Sequence, residues 1–104
     1  MIYQAKDGSI ELRGDEKKET VWATQAQIAE IFCSERSVVT KHIQNIFKDE
    51  ELSEKSNVQK LHIANSDKPV NSYSLDIILA VGYRTNSRIA IEFRMVALVT
   101  HMLR

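Results

Sequence analysis

A chain of 104 residues is long enough for one domain with a real core and too short for two. An apolar fraction of 43% and a charged fraction of 27% belong to an ordinary soluble globular chain, with no signal-peptide pattern at the N-terminus and no apolar run that could span a bilayer. The formal net charge is +0, but residues 1–57 hold 8 basic and 11 acidic side chains and residues 58–104 hold 6 and 3, so an acidic half precedes a basic one.

Ile2 to Lys6 and Ser9 to Arg13 flank Asp7-Gly8, a two-residue hairpin signal in which glycine accepts positive φ. A polar bend from Gly14 to Glu19 leads into the apolar, β-branched run Thr20-Val21-Trp22-Ala23, read as a strand with Trp22 packed under the helices that follow.

Thr24 to Phe47 reads as two short amphipathic helices. Ile28, Ile31 and Phe32 fall at i, i+3, i+4, and Val39, Ile43, Ile46 and Phe47 at i, i+4, i+7, i+8. Thr24 with Gln27 fits a capping box, and Cys33-Ser34-Glu35 leaves room only for a sharp turn. This is the helix-turn-helix device, whose second helix enters the DNA major groove. The outer face of that second helix carries Ser37, Thr40, Lys41, Gln44 and Lys48, with Ser34 and Arg36 near its start. Arginine and lysine suit guanine edges or phosphates, glutamine suits adenine, and hydroxyls suit either. The same face also suits plain solvation, and Glu35 would repel phosphate.

The polar stretch after Phe47 reads as a loop or short charged helix, its carboxylates Asp49, Glu50, Glu51 and Glu54 solvated. Val58 to Ile63 and Val70 to Tyr73 form a second hairpin around Ala64 to Pro69. As a wing it would bring Lys60, His62 and Lys68 to the DNA backbone; as plain structure it would only close the core. Ser72 or Ser74 caps a helix bearing Leu75, Ile78 and Leu79, which Gly82 ends. In the loop Tyr83 to Ser87 and just after it, Arg84 and Arg88 either form a phosphate-binding patch or pair with Asp76 or Glu92. The last helix, Arg88 to Arg104, carries two apolar stripes: Ile89, Phe93, Val96, Thr100 and Leu103, and Ile91, Met95, Leu98 and Met102. A surface helix needs one. The second is read as a dimer surface or a seat for sequence beyond Arg104, so the chain is taken as the front of a longer protein.

His42, His62 and His101 lack metal-site spacing, and no glycine-rich phosphate loop appears. The single cysteine, Cys33, excludes an intramolecular disulfide and fits a reducing cytoplasm. No cofactor, metal or catalytic set is expected within these residues.

At VWATQAQIAEIF, ERSVVTKHIQNIF and YSLDIILAVGYRTNSRIAIEFR the chain resembles the N-terminal region of the virulence-associated RhuM family of bacterial proteins, roughly from Tyr3 to Ala97. The resemblance implies a longer protein, in some members with a Fic/Doc-type C-terminal region. The element order, ending near an FR-x-x-A motif, also looks like the Bro-N and antirepressor domains of phages and large viruses, regarded as DNA-binding. Two positions depart from the pattern: Cys33 replaces a turn glycine, and Val96 replaces a tryptophan.

The expectation is thus one α+β domain over residues 1–104, a winged-helix-like helix-turn-helix core with an N-terminal hairpin, a second hairpin and a long C-terminal helix. Its expected partners are double-stranded DNA, a second copy of the chain and the C-terminal region of the same protein, with no membrane contact. The competing expectation is a protein-interaction or dimerisation module that positions an effector region without touching DNA.

Overall fold

The computed structural model, which describes residues 1–15, 20–62 and 67–102, opens with an antiparallel hairpin of β1 (Ile2–Ala5) and β2 (Gly8–Glu11). Ala5 pairs with Gly8, so the two turn residues are Lys6 and Asp7, one position earlier than the Asp7-Gly8 signal suggests. Glycine is still the cause of the turn: Gly8 has φ +142°, a region that a side chain would strain. Period-two alternation turns Tyr3, Ala5 and Ile10 inward.

The strand expected over Ser9 to Arg13 divides at Leu12, and Gly14 lies in β3 (Arg13–Asp15) rather than in a bend. The rest of that bend, residues 16–19, falls outside the described residues. β3 pairs with β4 (Thr20–Thr24), which runs into α1 (Gln25–Phe32). Next come α2 (Arg36–Lys48), the short α3 (Glu54–Asn57), and a hairpin of β5 (Val58–Leu61) and β6 (Val70–Ser74). Ile63 to Ser66, expected in the second hairpin, are likewise outside the described residues. The four strands form an antiparallel sheet in the order β3-β4-β6-β5. A strand, two helices and a hairpin whose last strand returns beside the first make a winged-helix-like α+β core.

The register assigns the sheet faces. Ala23, Tyr73 and Val58 are opposite one another and share a face. Val21, Ala23 and Tyr73 belong to the buried cluster with Ile28, Ile31, Phe32, Val39, Ile43 and Ile46, so this face takes the helices. Trp22 pairs with Ser74 and Arg13 on the opposite face. It is buried there as well.

α4 (Leu75–Thr85) starts at Ser74, whose Oγ accepts from the Ile77 N–H and also donates to Asn57 Oδ1 at 2.6 Å. Of the two serines proposed as caps, Ser74 is the one used. Gly82 does not end this helix, which continues through Tyr83, Arg84 and Thr85. The expected Tyr83–Ser87 loop reduces to Asn86, and α5 (Ser87–Met102) follows at once. Gly82 marks a helix crossing instead: a Cβ there would lie 2.4 Å from Phe32 Cζ and 2.9 Å from Ala90 Cβ. On α5 the buried stripe is Ala90, Phe93 and Ala97, with Ile89 partly buried against it. Val96, read into the inner stripe, is exposed. Among the described residues no helix is long and apolar enough to cross a membrane.

Candidate nucleic-acid interface

Both ends of α1 are fixed by local chemistry. Thr24 Oγ1 accepts from the Gln27 N–H at 3.2 Å, and Gln27 Oε1 accepts from the Thr24 N–H at 2.9 Å, completing the capping box. At the other end Cys33 adopts φ 53°, ψ 43°, the left-handed conformation that ends helices, and the Ser34 N–H donates to Ala29 O at 2.9 Å. The residue standing where the resemblance has glycine therefore takes glycine's conformation. The turn stays tight, three residues from α1 to α2.

α2 buries Val39, Ile43 and Ile46. This leaves Arg36, Ser37, Lys41, Gln44 and Lys48 exposed and Ser34 half-buried in the turn. Five of the six residues assigned to DNA from this region thus offer side chains to solvent or the turn surface, and Thr40 differs. Its hydroxyl proton is shared between Arg36 O at 2.9 Å and Gln25 Oε1 at 2.8 Å, so it serves the fold first. Gln25 in turn donates through Nε2 to the Tyr73 hydroxyl at 3.2 Å. One amide thereby ties α1, α2 and β6 together and sets the distance between α2 and the hairpin.

Between the first turn of α2 and that hairpin lies a groove of about 400 Å3, lined by Gln25, Arg36, Lys60, Asn71, Tyr73 and the Pro69-Val70 backbone corner. Lys60 and Asn71 are paired across β5 and β6 on the helix-bearing face, so both belong to the groove side of the hairpin. A second, smaller cleft of about 200 Å3 continues along α2 past Thr40 and Gln44. His62 and Lys68 are exposed on the hairpin beyond the strand pairing. Arg36, Lys41 and Lys60 make no ion pair among the described residues. Glu35 is the N-cap of α2 but forms no side-chain cap bond.

Arg84 and Arg88 do not join this surface. Arg84 pairs with Glu51, not Asp76, and also donates to Ala80 O at 3.1 Å. Arg88 lies 3.8 Å from Glu92 on an exposed stretch of α5. Neither lines the α2–hairpin groove. The outward stripe of α5 is as expected through Ile91, Met95 and Leu98, which are 56%, 60% and 43% exposed. The side chain of Met102 lies outside the described residues.

Three groove residues, Gln25, Asn71 and Tyr73, carried no signal in sequence, because only the pairing of β6 with β4 and β5 brings them to α2. Among the described residues no group of three or more His, Cys, Asp or Glu is placed to hold a metal ion. No protein-family model, curated protein or solved structure matches the chain.

Proposed function

We propose that this domain binds double-stranded DNA, with α2 as the recognition helix in the major groove and the β5–β6 hairpin as a wing on the backbone. The observation that carries this reading is the groove itself. It sets the exposed polar face of α2 and the hairpin that carries Lys60 side by side, with Arg36, Lys41 and Lys60 making no ion pair among the described residues. Arg36, Ser37, Lys41 and Gln44 would meet base edges and flanking phosphates, Ser34 the backbone at the turn, and Lys60 and Lys68 the backbone beside the wing. Arg84 is held by Glu51 and is left out of this interface, as is Arg88. A net charge of +0 sets a modest affinity, because phosphate binding draws on the local field alone. The resemblance to the RhuM family agrees with a bacterial transcription regulator or virulence-associated protein working in the cytoplasm. Titration of labelled duplex at low and moderate salt tests the reading. Binding by the wild type should weaken with salt, and Lys41→Glu should bind more weakly. Equal affinities without a salt slope would refute it.

The exposed stripe Ile91, Met95 and Leu98 favours a second function on another face, pairing of two copies through α5. Within the DNA reading this places two recognition helices on successive half-sites. Without DNA binding it leaves a dimerisation or protein-interaction module that positions an effector region, for example of the Fic/Doc type. Size measurement of Met95→Glu plus Leu98→Glu separates the cases. Joint loss of dimer and DNA binding supports the first, and a wild-type dimer with no DNA affinity supports the second.

A further inference from the structure

We propose that the groove between the first turn of α2 and the β5–β6 hairpin is a site for a single phosphate group, gripped jointly by Arg36 and Lys60, with the Tyr73 hydroxyl and the Asn71 amide as its neutral donors. This rests on the DNA reading for its natural ligand, a backbone phosphate, and makes that reading specific to one niche.

Four observations meet there. Arg36 from α2 and Lys60 from β5 line the same groove, and no aspartate or glutamate lines it with them. Neither cation has a hydrogen bond or ion pair to the described residues, unlike Arg13, which is bonded to Gln59, or Arg84, which is bonded to Glu51. Tyr73 is 4% exposed, and its oxygen accepts from Gln25, yet no acceptor among the described residues takes its own hydroxyl proton. The hydroxyl proton can therefore be given to a ligand oxygen in the groove. Finally, Asn71 is directly opposite Lys60 on the groove side of the hairpin and brings two further N–H donors.

The set is made of donors. Two cations from different elements, a phenol and an amide provide hydrogen bonds to several oxygens at once, which suits a tetrahedral anion better than a planar base edge. The Gln25 bridge holds α2 and β6 at fixed separation, so the donors are arranged before the ligand arrives.

The test uses the isotopically labelled chain, titrated at low ionic strength with inorganic phosphate and, separately, with a short duplex. Both ligands should shift the Asn71 and Tyr73 resonances. Arg36→Gln plus Lys60→Gln, two exposed positions that the fold tolerates, should lose those shifts with inorganic phosphate. On duplex DNA the salt slope should stay near the wild-type value for either single variant, whose remaining cation still holds the phosphate, and should fall by about 0.9 for the pair, which loses it. A fall of about 1.8 in the pair would mean two separate phosphates and would overturn the shared site. Duplex binding that leaves Asn71 and Tyr73 unmoved overturns the site while the DNA reading stands. Shifts with inorganic phosphate but no duplex affinity keep the site and refute the DNA reading. No shift with either ligand refutes the site outright.

Discussion

Gly82 of α4 lies against the ring of Phe32 in α1, so closely that a Cβ on the glycine would stand 2.4 Å from Cζ and 2.5 Å from Cε1. The ring has little room to retreat, because Phe32 is buried and Phe93 of α5 meets it edge-on at 6.5 Å between centroids. Helix propensity alone favours alanine over mid-helix glycine by about 1 kcal/mol. Overpacking a filled core costs about 1–3 kcal/mol and is the larger effect where three helices cross. Gly82→Ala should therefore lower stability in urea unfolding, and Phe32→Leu in the same chain should recover part of the loss. A stabilised Gly82→Ala would show that the crossing is loose.

Cys33 gives the opposite case, a side chain in a conformation made for glycine. At φ 53° and ψ 43° a non-glycine residue loses roughly 1–2 kcal/mol relative to right-handed backbone. Glycine returns some of that gain through its greater freedom in the unfolded chain. Cys33→Gly should stabilise the domain by about 0.5–1 kcal/mol, and Cys33→Val should destabilise it. The thiol is exposed, so neither change disturbs the core. Thermal melts under reducing conditions check the order Gly, Cys, Val.

These two positions also explain what was legible in the chain. The Thr24–Gln27 box and the Ser74 cap are local devices, read from residues three apart, and both form. The helix periodicity of Val39, Ile43 and Ile46 is likewise local, and these residues are buried as expected. Gly82 reads as a stop in sequence because a glycine at a helix end and a glycine at a helix crossing look alike until the neighbour is known. Gln25 and Tyr73 are 48 residues apart, and nothing in either segment announces their hydrogen bond. The candidate interface was therefore half visible: the α2 face could be read from spacing, whereas the groove depends on strand pairing.

Tyr3 gives a pH-dependent prediction. Burial, with added repulsion from Glu92 and Cys33, holds its hydroxyl above the ordinary value of 10.0. The folded state thus favours the neutral phenol, which also packs edge-on to Phe93 at 4.9 Å between ring centroids. The resulting contribution to stability is fully present below the unfolded pKa and is lost as pH rises through the folded one. The stability difference between wild type and Tyr3→Phe should stay flat up to about pH 9 and then move against the wild type at higher pH. Urea unfolding of both proteins across that range reads the difference, and parallel curves would exclude a shifted Tyr3.

Glu35 couples stability to the proposed interface. As N-cap of α2 it leaves the first-turn N–H groups without a side-chain acceptor, although its charge complements the positive end of the helix dipole. It also precedes Arg36, so its carboxylate opposes any phosphate that approaches the groove. Glu35→Asp keeps the charge and adds a capping oxygen, and should stabilise the domain by about 0.5–1 kcal/mol without improving DNA affinity. Glu35→Ser adds the cap but removes the charge, so its gain in stability should be smaller by the lost dipole interaction, about 0.3–1 kcal/mol. Its affinity for duplex should rise several-fold at low salt and converge with the wild type as salt increases. Urea unfolding and duplex titration on the three proteins separate the two effects. If Glu35→Ser binds no better than Glu35→Asp at low salt, the start of α2 does not face phosphate.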